Sequence, residues 1–137
     1  MSAEVTEDAA LGGRLRLKQP KGGHRVGHDA ILLAAACPAR ADERVVDLGA
    51  GVGAAGLALA LRVAGIDVAL VEVDAALARL AVENAQLNGL SARANAVVLD
   101  VGAPARAFAA AGLGPESVAR VLMNPPFNDP AQQRASP

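Results

Sequence analysis

The sequence predicts an α/β domain in which a parallel sheet carries helices on both faces. Two observations carry this prediction: four short apolar runs alternate with segments that suit helices, and a glycine cluster lies where the first run meets a helix. The chain has 137 residues, which is enough for one domain, and 53% of them are hydrophobic, mostly Ala, Leu and Val. This composition favours helices that pack closely on a sheet through small side chains.

The N-terminal part is expected to hold a strand or hairpin and one helix. We expect the acidic residues 1–10 to be disordered. Apolar and basic residues alternate from Leu11 to Gln19 around a pair of glycines, which indicates a strand or a short hairpin. Pro20 and the glycines after it break this pattern, and Asp29 is suited to cap a helix that ends near Cys37.

From there on, predicted strands alternate with predicted helices, and glycine or polar residues mark the boundaries. The four strands are expected at 44–48, 68–71, 96–99 and 120–123. The helices are expected at about 54–64, 75–88 and 105–111. Because crossovers between parallel strands in one sheet are right-handed, these helices should cover both faces of the sheet.

A glycine-rich loop follows the first of these strands. Gly49, Gly51 and Gly53 permit positive φ and a close approach of the backbone to a ligand, and the next helix presents unpaired N–H groups. Glu72, at the end of the second strand, is placed to accept both hydroxyls of a ribose. This pattern predicts a nucleoside cofactor and leaves NAD open, because the glycine spacing also fits the dinucleotide fingerprint. Asp47 favours S-adenosylmethionine (SAM), since a carboxylate there suits a cationic ligand and repels a pyrophosphate.

A proline-rich turn, Asn124-Pro125-Pro126-Phe127, follows the fourth strand at the edge where open α/β sheets bind ligands. The prolines leave rigid, unpaired carbonyl oxygens, and the Asn124 side chain adds an amide oxygen. Such acceptors suit a substrate –NH2 group whose lone pair turns towards an electrophile, and Phe127 can stack on a flat base. The alternative is a proline-stiffened turn with a core Phe.

Four segments together resemble class I methyltransferases of the N6-adenine type: Asp-Leu-Gly-Ala-Gly-Val-Gly (47–53), Val-Glu-Val-Asp (71–74), Glu-Asn-Ala-Gln-Leu-Asn-Gly-Leu (83–90) and Asn-Pro-Pro-Phe (124–127). Residues 11–20 and 23–30 are similar to bacterial tRNA (adenine-N6) methyltransferases that modify a valine tRNA. The resemblance covers about residues 11–134. It implies a Rossmann-like fold with sheet order 3-2-1-4, and SAM as the cofactor. Relatives of the proline-rich turn also occur in guanine-N2 rRNA and glutamine-N5 protein methyltransferases.

The resemblance implies roles for individual residues. The cofactor-binding set would be Arg25, Gly27, Asp47, Gly49, Gly51, Gly53, Glu72 and Asp100. The catalytic set would be Asn124, Pro125, Pro126 and Phe127. Asp100 would contact the adenine amine of the cofactor, with a plain strand-end residue as the alternative, and Asp29 would belong to the segment over the cofactor or serve only as a cap. No metal site is expected, because His24 and His28 have no third ligand nearby.

The family's fold has three further strands after the proline-rich turn, whereas this chain ends ten residues beyond Phe127. We therefore expect residues 11–127 to be the N-terminal, cofactor-binding part of a methyltransferase domain, with a polar tail at 128–137. The fourth strand would then be an unpaired edge open to self-association, and turnover by this chain would be weak or absent. Two other classes stay open: an NAD-binding oxidoreductase domain, and a non-catalytic module that holds cofactor or RNA.

Charge and hydropathy restrict the partners. The formal net charge is −1, so contact with a nucleic acid must be local. The basic stretch from Arg14 to Arg25 is a candidate phosphate-binding face and equally a solvated strand face. No signal peptide and no apolar run of membrane-spanning length is found, and the single Cys37 excludes an intramolecular disulfide. We expect a cytoplasmic protein that acts on tRNA, with rRNA as the second candidate.

Overall fold

An N-terminal hairpin precedes a parallel sheet in the computed structural model, which describes residues 4–22 and 27–124. The hairpin consists of β1 (Val5–Ala10) and β2 (Leu15–Pro20), joined by a short 3-10 helix at Leu11–Gly13. The two strands are antiparallel along their whole length. The predicted strand over 11–19 is therefore correct for β2, but the hairpin begins upstream of it.

Residues 5–10 form β1, so the expected disorder of the first ten residues is corrected for this stretch. The physical reason is charge complementarity with β2. Arg16 forms an ion pair with Glu7, and Lys21 lies 3.2 Å from Glu4. Gln19 donates to Asp8 at 2.8 Å. The acidic residues that suggested disorder thus bind polar and basic groups of the neighbouring strand.

The main sheet contains four parallel strands: β3 (Arg44–Leu48), β4 (Asp67–Glu72), β5 (Ala94–Val98) and β6 (Arg120–Met123). Their order is β5-β4-β3-β6. This confirms the expected 3-2-1-4 order. The register places Leu48 beside both Val71 and Met123, so the carboxyl ends of these strands meet at one edge.

The helices are α1 (His28–Ala36), α2 (Ala54–Arg62), α3 (Ala75–Leu87) and α4 (Ala105–Ala110). Helices α2 and α3 pack on one face of the sheet, with α1 against α2 and the hairpin against α3. Helix α4 covers part of the other face through Phe108. The prediction of helices on both faces is confirmed. The expected cap at Asp29 is wrong: Gly27 is the N-cap residue of α1, and Asp29 lies in its first turn.

Small side chains bring α2 unusually close to the sheet. Every residue from Ala54 to Ala60 is buried, so this helix is enclosed on all sides. At Gly56, an added Cβ would lie 2.5 Å from Leu70 Cδ2 and 3.0 Å from Val68 Cγ1. The absence of a side chain at Gly56 therefore permits the close approach of α2 to β4.

One edge of the sheet has no partner among the described residues. Strand β6 pairs with β3 alone there. Its Leu122 is buried, whereas Val121 and Met123 are 57% and 50% exposed. Self-association through this edge stays a prediction. Within the described ranges, no helix has the length and hydropathy needed to cross a bilayer.

Replacing Gly56 by Ala is expected to destabilise the fold by roughly 1–3 kcal/mol, because the new methyl group would overlap Leu70. This overlap should outweigh the ~1 kcal/mol by which Ala is favoured over Gly in a helix. Urea unfolding measures the change. Gly114→Ala is the control, since a Cβ there would meet Ala109 Cβ at an ordinary 3.6 Å. Equal stability of wild type and Gly56→Ala would contradict the packing argument.

Candidate functional site

A cleft lies at the carboxyl edge of the sheet, between the glycine loop, the start of α1 and the end of β6. The loop contributes Gly49 and Gly51, and β3 contributes Asp47. Gly27 lines the cleft from the start of α1, and Asn124 lines it from the end of β6. The structure thus brings together five residues that the sequence analysis assigned to the site.

The loop presents a backbone surface without side chains. Gly49 and Gly51 have φ values of 70° and 59°, a region that residues with a Cβ rarely adopt. A Cβ built at either residue would meet no atom within 4 Å. Glycine is therefore required here by backbone conformation, and the space that remains is available to a ligand.

Asp47 is a buried acid beneath the loop. It is 2% exposed, and its Oδ2 accepts a hydrogen bond from the Gly56 backbone N–H at 3.0 Å. Burial raises the pKa of Asp47 from 3.8 to about 7, the Gly56 N–H lowers it, and the negative charge of Glu72 adds to the increase. A cation in the cleft would favour the ionised form of this carboxyl group and would itself be stabilised.

Glu72 holds the loop to the neighbouring strand. Its Oε1 accepts from the Gly51 N–H at 2.8 Å, and its Oε2 accepts from the Asp74 N–H at 2.9 Å. One carboxylate therefore fixes both the glycine loop and the turn into α3. Because an ionised carboxylate has about four lone-pair sites, two remain for hydroxyl donors.

Three residues of the site were missed by the sequence analysis. Asn84 of α3 is fully buried, and its Nδ2 donates to the Val52 carbonyl oxygen of the loop at 2.9 Å. Gln19 of β2 is buried and lines the cleft. Val73, directly after Glu72, is 61% exposed and offers an apolar surface at the same edge. Asn84 lies in the segment 83–90 that carries part of the resemblance, but no role was assigned to it, and no sequence signal pointed to Gln19.

Other predicted residues do not line the cleft or cannot be placed. The Asp100 side chain is exposed and accepts from its own turn, from the Gly102 N–H at 2.9 Å. Gly53 begins α2 as its N-cap residue. Four residues lie outside the described residues: Arg25, Pro125, Pro126 and Phe127. Across the described ranges, no group of three or more His, Cys, Asp or Glu side chains could hold a metal ion.

The basic residues of β2 are largely paired with acids. Arg16 forms an ion pair with Glu7, and Lys18 Nζ lies 3.7 Å from Glu83 Oε1 of α3. Lys21, which follows β2, forms an ion pair with Glu4, which precedes β1. The β2 surface therefore carries less positive charge than its sequence suggests, which weakens its interpretation as a phosphate-binding face.

The comparison with protein families decides the family. Residues 23–136 match the family model described as Methyltransferase small domain. The chain belongs to this family. The cofactor of this methyltransferase small domain is SAM, as the family and its structural neighbours indicate.

Solved structures support the same assignment. The domain is 39% identical to a predicted O-methyltransferase from Agrobacterium tumefaciens, with a TM-score of 0.65 over 72% of this chain and 49% of that chain. It is 27% identical to TYW2 from Pyrococcus horikoshii in complex with MeSAdo, with a TM-score of 0.62 over 75% and 39% of the two chains. It is 30% identical to TrmN from Thermus thermophilus, with a TM-score of 0.56 over 77% and 29%.

The aligned part of this domain therefore corresponds to about half of the Agrobacterium protein. It corresponds to less than half of the TYW2 and TrmN chains. No curated protein matches the chain significantly.

The buried acid predicts an unusual pH dependence of stability. Since the folded-state pKa of Asp47 lies above its unfolded value of 3.8, the folded state binds more protons between about pH 4 and 7. The free energy of unfolding should therefore fall as the pH rises through this window, by up to about 4 kcal/mol. Urea unfolding at several pH values measures it.

Asp47→Asn is the matched variant for this test. This variant should remove the pH-dependent decrease in the free energy of unfolding and should be more stable than wild type at pH 8, because all other groups are the same in both proteins. Identical pH profiles for the two proteins would show that the Asp47 carboxyl is not perturbed.

Proposed function

We propose that this domain is the cofactor-binding part of a SAM-dependent methyltransferase that methylates an exocyclic amine, with adenine N6 of a tRNA as the first candidate. The position of Asn124 carries the proposal. This residue begins the Asn-Pro-Pro-Phe motif, and it lines the same cleft as Gly49 and Gly51. The first residue of the motif that suits an amine and the loop that suits a nucleoside therefore face one space.

The chemistry of the cleft fits SAM. Asp47 supplies a buried carboxyl group for the cationic methionine end, and Glu72 has free lone pairs for ribose hydroxyls. The exposed Val73 offers apolar surface to the adenine ring. SAM supplies a methyl group on a cationic sulfur. A dinucleotide would instead place its pyrophosphate near two carboxylates, which disfavours NAD.

The acceptor side favours nitrogen. The side-chain amide of Asn124 provides an oxygen that accepts one N–H of an amine, and the following prolines have no backbone N–H and contribute carbonyl acceptors only. A neutral amine has its own lone pair, so its orientation in line with the methyl group supplies much of the rate. The carboxyl groups nearest the cleft, Asp47 and Glu72, are bound to backbone N–H groups and serve the loop.

A hydroxyl acceptor is the second candidate, because the Agrobacterium neighbour is described as a predicted O-methyltransferase. A hydroxyl must lose its proton as it reacts, which calls for a general base. The described part of the cleft offers no carboxylate that is free of a backbone partner. Among amines, guanine N2 of rRNA and the glutamine side-chain amide are the alternatives to adenine N6.

Calorimetric titration tests the cofactor site. Micromolar binding of S-adenosylhomocysteine (SAH) is expected, with no binding of NAD. Glu72→Gln should weaken SAH binding by about tenfold, since an amide cannot accept from both the Gly51 and the Asp74 N–H groups. Asp67→Asn is the control, because Asp67 is an exposed acid at the opposite end of the same strand. Binding of NAD without SAH would refute the proposal.

Methyl transfer tests the acceptor. Single-turnover assays with excess protein, labelled SAM and unmodified tRNA should produce N6-methyladenosine, identified by mass spectrometry of the nucleosides. Asn124→Ala should lower the transfer rate by about 100-fold while SAH affinity changes less than about twofold. Methyl label on guanine or on a protein amide would keep the amine and reassign the substrate. Label on oxygen would contradict the proposal.

A further inference from the structure

Two asparagines bind the outer backbone edge of β2: Asn84 in the last turn of α3, and Asn88, the C-cap residue of that helix. Asn84 accepts from the Lys18 N–H at 2.6 Å and donates to the Lys18 carbonyl at 2.9 Å. Asn88 accepts from the Arg16 N–H at 2.9 Å and donates to the Arg16 carbonyl at 2.7 Å. Side chains four residues apart on a helix are about 6 Å apart, close to the spacing of alternate residues in a strand. Helix α3 thus occupies the place of a third strand beside the hairpin.

The two asparagines differ in their remaining contact. Asn84 is fully buried, and its amide also donates to the Val52 carbonyl in the glycine loop at 2.9 Å. Asn88 instead donates within α3, to the Asn84 carbonyl at 2.7 Å. Since a side-chain amide has two N–H donors, Asn84 uses both of them. Only Asn84 therefore connects the hairpin to the loop.

This connection joins two segments that each contribute a wall residue to the cleft. Val52 lies between Gly51 and Gly53 and lines the cleft on the loop side. Gln19 directly follows Lys18 in β2, is buried and also lines the cleft. One amide group consequently holds the backbone of both walls.

We propose that Asn84 is a positioning residue that sets the separation of these two walls and thereby the affinity for the nucleoside cofactor. The inference rests on the proposed cofactor site. The Asn84 side chain is fully buried and its bond to Val52 is buried as well, so losing that bond leaves a buried polar group unpaired. A hairpin anchor alone would need only the kind of contacts that Asn88 makes.

Asn84→Asp and Asn88→Asp form a matched pair for calorimetric titration with SAH. Each variant keeps an acceptor for the strand N–H and loses its amide donors. Asn84→Asp should weaken SAH binding by about tenfold, whereas Asn88→Asp should change it by less than about twofold although its thermal midpoint also falls. Equal losses in both variants would make Asn84 a hairpin anchor only, and unchanged affinity in Asn84→Asp would refute the inference.

The wild-type controls separate this inference from the proposed function. If wild type does not bind SAH, the cofactor site itself is wrong. If wild type binds SAH and Asn84→Asp binds it equally well, only the role of Asn84 is wrong.

A second measurement uses wild type alone, so it tests the inference even if Asn84→Asp does not fold. Because coupling between two sites is reciprocal, SAH bound at the loop should stabilise the docked hairpin. Amide hydrogen exchange of Lys18 in wild type should slow by about fivefold or more at saturating SAH. An unchanged exchange rate at Lys18 would overturn the coupling.

Discussion

The glycine loop depends on two acids that are buried beneath it. A loop built from residues with positive φ makes few hydrogen bonds of its own, so side chains must fix its shape. Glu72 binds the Gly51 N–H from the neighbouring strand, and Asp47 binds the Gly56 N–H in the helix that follows the loop. The cost is the burial of two carboxyl groups near each other, which raises the pKa of Asp47. A cationic ligand offsets this cost, so the interactions that shape the loop also select the charge of its ligand.

Close packing and electrostatics act through the same residue. Gly56 permits α2 to lie against Leu70 and Val68, and its N–H is the donor to Asp47. A larger residue would move the helix away from β4 and would thereby lengthen the hydrogen bond that lowers the pKa of Asp47. The alanine-rich sequence of α2 therefore contributes to the site without supplying any reactive side chain.

Local patterns were sufficient to predict most of the fold. Short segments of sequence predicted the parallel strands to within two residues at either end and placed the glycine loop after the first of them, and the family resemblance implied the sheet order. The errors concern partners that are distant in sequence. Strand β1 forms because its acids meet the basic residues of β2, and Asn84 acts through Val52 and Lys18, which are 32 and 66 residues away. Asp100 satisfied the expected spacing, yet its carboxylate is bound within its own turn.

Within the described part of the chain, the glycine-loop side of the cleft is fixed by more hydrogen bonds than the side formed by Asn124. Glu72 of β4 and Asn84 of α3 bind the loop itself, and Asp47 of β3 binds the first turn of the helix that follows it. The acceptor side is represented among the described residues by Asn124, which follows a strand whose outer edge has no described partner. Under the proposed function, cofactor binding would use the loop side, whereas transfer would also need Asn124 to be held against the acceptor. Additional structure along β6 would therefore increase the rate of transfer much more than the affinity for SAM, because it would order the acceptor side without changing a contact of the loop.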